Sequence, residues 1–466
     1  MNLKLANSEV IHFIGIGGIG MSGLALIMKN MGFKVQGSDI SNNTSIDRLK
    51  KLGIKINIGH KINNLRNATT VVISSAIKKN NPELKSVIKK KLPLYKRGDM
   101  LANIVSLTKN IVVTGSHGKT TTTSLISSIL HNSNLDVTII NGGVINQINN
   151  SAKLGKSDWS VLEADESDGS FLKIPSTYSV VTNIDKEHLD YYKNIDNLFK
   201  SFISFVEKTP SFGKSFICLD DINNQKLIKK LKIKNYQTYG LNKQSNYLIK
   251  IKKKTNKFST FDIIANTSVD KKNYKNFQIP LLGEHNIRNA TAAIIISLNL
   301  GIKIKYIKKA LKNFKGVQRR FNKIFSYKKN DFYDDYAHHP TEITELLKGV
   351  REVNKNRKII CVFQPHRYSR VKLLKKEFSK SFKFADEVIL CPIYSAGEKI
   401  DRNYNDYLFG NLIIKNSNVK LIIIKDENDL AIYLKKNLLA DEMVICAGAG
   451  SISSWIREIS KKYEYN

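Results

Sequence analysis

The stretch Gly115-Ser116-His117-Gly118-Lys119-Thr120-Thr121 has the residue types that phosphate chemistry needs. Glycines let the backbone approach an anion, and N–H groups of the loop and of a following helix start point at it. A lysine adds a point charge, and a Ser/Thr hydroxyl reaches a magnesium ion. Lys119 and Thr120 fill the last two roles. The usual spacing asks for another glycine at position 113, where Val113 stands, so the loop is a shorter variant. Further on, Glu163, Asp165, Glu166 and Asp168 put four acidic residues within six positions. The segment Asn183-Ile184-Asp185-Lys186-Glu187-His188 adds a histidine. Carboxylates and a histidine just past strand ends can complete a metal shell at the edge where open α/β sheets bind ligands. A second glycine signal, Gly15-Ile16-Gly17-Gly18-Ile19-Gly20, matches G-x-G-x-x-G, and Asp39 follows roughly 20 positions on. This second signal indicates a nucleotide-like ligand with a diphosphate.

Placing these groups takes alternating strands and helices. The apolar run over 111–113 reads as a buried strand, and Leu125, Ile126, Ile129 and Leu130 share one face of a helix after the loop. The first glycine signal lies between a strand at 10–14 and a helix through Leu24, Leu26, Ile27 and Met28, with Gly32 as its C-cap. A strand over 33–36 leads to Gly37-Ser38-Asp39. Strands over 137–140, 159–162 and 178–182 precede Asn141-Gly142-Gly143, the acidic run and the histidine segment. The triplet Lys252-Lys253-Lys254 reads as a solvated turn among lysine-rich hairpins. The cluster Glu284-His285-Asn286 with Asn289 opens a helix, where it either caps the helix or reads a base edge. Beyond residue 316, strands over 359–363, 387–390 and 443–446 each feed a polar segment. Pro340 suits a helix's first turn. The expected fold is α/β in three domains: a Rossmann-like N-terminal domain over 1–105, a central P-loop-type ATPase domain with a mostly parallel sheet over 106–315, and a C-terminal Rossmann-like α/β domain over 316–466.

Composition narrows the classes. A chain of 466 residues suits about three domains. Its longest apolar runs are strand-sized, which predicts no membrane-spanning helix and no membrane partner. The first residues lack the charged-then-apolar layout of a signal peptide. Four scattered cysteines form no Cys-x-x-Cys pair, which argues against a disulfide framework or a zinc site and fits a reducing cytoplasm. The net charge of +35 comes from lysines spread over the whole chain with many Asn and Ile. That spread matches lysine-rich coding rather than a nucleic-acid patch, though the field still attracts anionic substrates.

In order along nearly the whole chain, HFIGIGGIGMSG, GSD, TGSHGKTTTT, EADESDGSF, NIDKEHLD, GEHNIRNA, GVQRRF, DDYAHHPTEI, FQPHRYSR, IYSAGE and GAGS together resemble the ATP-dependent Mur ligases. The resemblance implies a first domain for a UDP-sugar, a second for ATP and Mg²⁺, and a third that binds an amino acid and closes over the site. The implied reaction joins L-alanine to the carboxylate of UDP-N-acetylmuramate through an acyl phosphate, giving ADP and phosphate, in peptidoglycan precursor synthesis. By motif match, Lys119, Glu163, His188 and Arg320 resemble the catalytic residues, and Thr120, Glu163 and His188 the metal shell. The ATP site would draw on Gly115, Ser116, His117, Gly118, Lys119, Thr120, Thr121, His285, Asn286, Asn289, Arg320 and Asp335. Gly17, Gly18, Ser38, Asp39, Ser74, Ser75 and Arg97 would surround the UDP-sugar, and Tyr336, His366 and Arg370 the alanine. The expected species is a monomer or weak homodimer.

Three positions depart from the family pattern: Ser116 stands for threonine, Glu187 for aspartate and Ala337 for glycine. The first two keep the functional group. Ala337 adds a methyl group where a positive φ would be strained. Within the family, the GIGGIG and FQPHRYSR segments favour alanine over an intact tripeptide as the amine. A nicotinamide oxidoreductase would explain only the first glycine signal and would leave Lys119, Thr120 and the acidic run without a role.

Overall fold

The computed structural model describes residues 9–464, in three sheets. The first is a five-stranded parallel sheet in the order Lys55–Ile58, Lys34–Asp39, Val10–Ile14, Thr70–Ile73, Leu94–Lys96. Its order reverses between Val10–Ile14 and Thr70–Ile73, and the first glycine loop leaves the sheet there, where such sheets hold ligands. In the ten-stranded second sheet, Lys109–Thr114 pairs in parallel with Tyr178–Val181 on one side and Trp159–Glu163 on the other. The phosphate loop therefore emerges between the histidine segment and the acidic run. The third sheet runs Asn322–Tyr327, Asn330–Asp335, Met443–Ala447, Ile359–Phe363, Glu387–Leu390, Lys420–Ile423. Its first pair is antiparallel and the rest are parallel.

Contacts group the chain into two compact units. The first comprises Met1–Lys250, Phe261–Ile279 and Arg288–Lys315. The second comprises Ile251–Thr260, Pro280–Ile287 and Gly316–Asn466. In the first unit one core runs from Phe13 and Leu24 through Ala152 to Phe171, Phe202 and Phe205. Phe171 packs against Phe202 and Phe205 in tilted pairs with ring centroids 5.4 and 5.3 Å apart. Each such buried ring contributes on the order of 2–3 kcal/mol. In the second unit Cys361 and Phe363 join one core, while Ile360 and Val362 join another, as the alternation of a strand buried on both faces requires.

Three expectations need correction. Lys252, Lys253 and Lys254 lie in strand Tyr247–Lys254 and form no turn. Lys254 is no solvated lysine either, because its Nζ pairs with Glu284 at 3.1 Å and Glu352 at 2.9 Å. Asn141-Gly142-Gly143 lies inside strand Thr138–Ile145 and does not follow it. Ala337 is buried and is not among the residues with positive φ, so its methyl group meets no backbone strain. All four cysteines are free and buried. Among the described residues no helix is long and apolar enough to cross a membrane.

Candidate active site

The phosphate loop joins strand Lys109–Thr114 to helix Lys119–Asn132. Ile111, Val112 and Val113 are fully buried and anchor its start. At Gly115, φ is +129° and a Cβ would stand 2.1 Å from Thr182 Oγ1, so only glycine fits. Gly118 is left-handed, and a Cβ there would lie 2.7 Å from Asn289 Oδ1. The neighbouring strand end clamps the loop. Ser116 N donates to Asn183 O at 2.9 Å and His117 N to Asn183 Oδ1 at 2.8 Å. Thr182 Oγ1 and Asn183 Nδ2 both donate to His117 O, and Asp185 N donates to Ser116 Oγ. His117 Nε2 lies 3.1 Å from Asp185. The N–H groups of Ser116 and His117 are thus committed to Asn183. The first-turn N–H groups of Lys119, Thr120 and Thr121, which no helical carbonyl reaches, are the ones suited to an anion.

Lys119 Nζ donates to Gly115 O at 2.6 Å and Ser116 O at 3.0 Å, and stands 2.8 Å from the buried Glu166 carboxylate. Burial opposes its charge, but Glu166, Asp165, Glu187 and Glu163 outweigh burial and raise its pKa, so the lysine is cationic. Thr120 Oγ1 donates to Glu163 Oε1 at 3.0 Å. The other oxygen of Glu163 accepts from Gly142 N at 2.6 Å, which holds the carboxylate over the helix start. Asp165, Glu166 and His188 offer ligand atoms within 4.8 Å of one another. His188, at φ 55°, sets its Nε2 at 3.7 Å from Glu166 and 3.8 Å from Glu187. The structure therefore pairs Thr120 with Glu163 and turns His188 toward Glu166 in the adjoining cluster.

In the first domain, Gly15 N and Ile16 N donate to Ser38 O, and Gly17 N donates to Asp39 Oδ2 at 2.8 Å. Ile40 N takes the other oxygen of Asp39. A Cβ on Gly17 would sit 2.6 Å from Asn43 and 2.9 Å from Asp39, whereas Gly18 has ordinary room. Asp39 thus braces the loop with both oxygens. Ser38 is wholly buried, and its hydroxyl donates to Glu83. Ser74 bonds back to Ile14 O and packs against Gly15, while Ser75 is exposed. Arg97 opens helix Arg97–Val105 and crosses the start of helix Ile19–Asn30, where a Cβ on Gly20 would lie 3.0 Å from Arg97 Nη1.

In the second unit, Asp335 accepts from Phe321 N and Ala337 N, both at 2.7 Å. Burial pushes its carboxyl up to about 6, against the pull of Arg320. Arg319 and Arg320 lie over the Tyr336 ring at 4.7 and 5.4 Å. Arg319 also donates to Gly448 O at 2.8 Å, and this contact ties down a loop in which Arg319 and Phe321 have positive φ. His366 meets Arg370 Nη1 at 3.1 Å and stacks on Tyr394 at 5.7 Å. Burial, then His338 and Arg370, push His366 down to about 3, so the ring is neutral and accepts from Arg370. His338 lies between Tyr336 at 5.1 Å and His366 at 5.8 Å, which gathers the three expected pocket residues. Sequence reading missed His338 and Tyr394, although they stand inside the segments DDYAHHPTEI and IYSAGE. Asn286 Nδ2 donates to Leu282 O, and His285 stands 3.9 Å from Glu345.

A glycine loop between parallel strands, a lysine and threonine at its helix start and a carboxylate on the threonine define a nucleotide-phosphate-binding α/β enzyme of three domains. Family profiles agree. The Mur ligase family catalytic domain matches residues 10–109, the Mur ligase middle domain 113–297, and the Mur ligase glutamate ligase domain 319–450. The UDP-N-acetylmuramate–L-alanine ligase of Pelagibacter ubique is 60% identical over 461 residues, covering 98% of this chain and 99% of the relative. That of Brucella anthropi is 40% identical over 457 residues, covering 98% and 97%. The crystal structure of UDP-N-acetylmuramate–alanine ligase from Thermotoga maritima superposes with a TM-score of 0.83 at 27% identity, covering 98% and 99%. The chain belongs to the Mur ligase family.

Proposed function

We propose that this chain is an ATP-dependent ligase that joins L-alanine to the lactyl carboxylate of UDP-N-acetylmuramate, a step of peptidoglycan precursor synthesis. The carrying observation is that Lys119 and Thr120 open the helix after the phosphate loop with their side chains on Glu166 and Glu163, the acidic run at the end of the neighbouring strand, in a chain 60% identical to a relative with that activity. In this reading residues 1–105 bind the UDP-sugar, 106–315 bind ATP and 316–466 bind the amino acid.

A carboxylate is a poor acyl donor, so its oxygen first attacks the γ-phosphorus of ATP, the bond to the β-phosphate oxygen breaks and ADP leaves. Two anions must approach, and at ~4 Å they repel by about 4 kcal/mol at an effective dielectric of 20. Lys119 and the first-turn amides offset that repulsion and stabilise the charge of the transferring group. Lys119 exchanges its loop carbonyls for phosphate oxygens. The Thr120 hydroxyl and the Glu163 carboxylate are hard oxygen donors, and Asp165 and His188 stand in the adjoining cluster, so the donor set suits magnesium. A bound Mg²⁺ would neutralise β- and γ-phosphate charge. Arg320 and Asp335 serve the nucleotide from the third domain, and His285, Asn286 and Asn289 its base. Neutral His366 holds the Arg370 guanidinium for the alanine carboxylate, beside Tyr336. The alanine amine then attacks the acyl carbon, and phosphate leaves with one former carboxylate oxygen.

The test is phosphate release from ATP and Mg²⁺ with UDP-N-acetylmuramate and single amino acids or peptides. Release that needs both the sugar nucleotide and L-alanine supports the reading. Release with a tripeptide instead, or none from a folded sample that binds ATP, contradicts it.

A further inference from the structure

The N-terminal domain contains a buried polar cluster that the phosphate chemistry does not use. Glu83, in the first turn of helix Pro82–Lys89, has no exposure. Its carboxylate accepts from Asn64 Nδ2 at 2.5 Å, Ser38 Oγ at 2.6 Å, Lys61 N at 3.1 Å and His12 Nε2 at 3.3 Å. Desolvation pushes this carboxyl up, but the bonds from His12, Ser38 and Asn64 outweigh desolvation and hold it below its ordinary value. The group is an ionised acceptor.

That acceptor fixes the protons around it. A serine hydroxyl has one hydrogen, and Ser38 spends it on Glu83. His60 Nδ1 lies 3.1 Å from the same Ser38 oxygen, which can then only accept. The hydrogen of that contact therefore belongs to His60 Nδ1, and the neutral ring keeps its lone pair on Nε2. His12 is the opposite case. Gln36 Nε2 faces its Nδ1 at 3.4 Å, which leaves Nε2–H for Glu83. Of Glu83, Ser38 and His60, only the His60 side chain reaches solvent, at 14% exposure. It follows strand Lys55–Ile58, at the edge where the glycine loop also leaves its sheet.

We propose that Glu83, acting through Ser38, is a positioning residue that sets the ring tautomer of His60, which then presents Nε2 as a hydrogen-bond acceptor to the sugar nucleotide. The last clause rests on the reading that this domain binds UDP-N-acetylmuramate.

The test has one readout that is independent of activity. Long-range ¹H–¹⁵N spectra of histidine-labelled full-length protein at pH 8 separate the two tautomers, and His60→Gln identifies the His60 signals among nine histidines. The parent should show the Nδ1–H form, and Glu83→Gln and Ser38→Ala should both shift it toward Nε2–H. A parent in the Nε2–H form, or a ring unchanged in both variants, overturns the relay. The second readout is kinetic. Glu83→Gln should raise KM for UDP-N-acetylmuramate about tenfold and leave KM for ATP and alanine within twofold. A merely structural role would lower the melting temperature and the active fraction without singling out one KM. An altered ring with all three KM values unchanged overturns the nucleotide-facing role. A parent with the expected ring but no turnover of UDP-N-acetylmuramate overturns the ligase reading and that role while the relay stands.

Discussion

Gly142→Ala isolates the Glu163 carboxylate on which the proposed chemistry depends. Gly142 lies in strand Thr138–Ile145 without a positive φ, so its backbone accepts alanine. A Cβ there would meet all three carboxylate atoms of Glu163 at 2.6–2.7 Å. Ordinary contact needs about 3.4 Å or more, so the carboxylate must retreat by almost 1 Å. It then leaves both Gly142 N and Thr120 Oγ1. A misplacement of about 1 Å in reacting groups costs about 100-fold in rate, which is about 2.7 kcal/mol of barrier. The lost hydrogen bond to a charged group, about 1.5–3 kcal/mol, falls in the same range. The fold loses little, because the displaced atoms end a flexible side chain and alanine suits a strand better than glycine does. The assay is kcat for phosphate release over a magnesium titration, beside thermal melting and a Glu163→Gln control. The expected result is kcat down about 100-fold with an unchanged melt and partial recovery at high magnesium. A kcat within about threefold of the parent, with Glu163→Gln inactive, would refute the argument that this glycine exists to seat Glu163.

Lys119→Ala should collapse kcat while circular dichroism shows the fold retained, and activity within about tenfold (~1.4 kcal/mol) would remove the phosphate-lysine role. Arg370→Ala should raise KM for alanine far more than KM for ATP, and equal effects would place Arg370 outside the alanine pocket. The folded chain holds the Asp335 proton up to about 6, whereas the unfolded chain releases it near ~3.9. Its contribution to stability is therefore full below about pH 4 and is lost as pH rises through about 6, by about 3 kcal/mol. Asp335→Asn should abolish that loss in denaturant titrations across the window, so the parent-minus-variant difference should fall with rising pH, and a flat or rising difference contradicts the assignment.

Much of the architecture was legible because it is local. The run Ile111–Val113, the glycines and Lys119-Thr120 fix strand, loop and helix by spacing alone, and the acidic and histidine segments appear where parallel strands end. What escaped was set by partners distant in sequence. Gly142 looks like a loop glycine until Glu163 is seen 2.6 Å from its N–H. Lys254 looks solvated until Glu284 and Glu352 approach it, whereas its neighbours Lys252 and Lys253 are exposed as expected. Ser38 reads as ligand-facing, yet the structure spends its hydroxyl on Glu83, 45 positions away in the chain. Ser116 and His117 read as phosphate-binding amides, but Asn183 takes both N–H groups.

The central claim is that the substrate carboxylate takes the γ-phosphoryl group before the amine attacks. UDP-N-acetylmuramate with ¹⁸O in its lactyl carboxylate tests this directly, through mass analysis of the phosphate formed with ATP and L-alanine. The account predicts one ¹⁸O in each phosphate released and one retained in the amide product. Phosphate free of ¹⁸O, alongside amide formation, would contradict it.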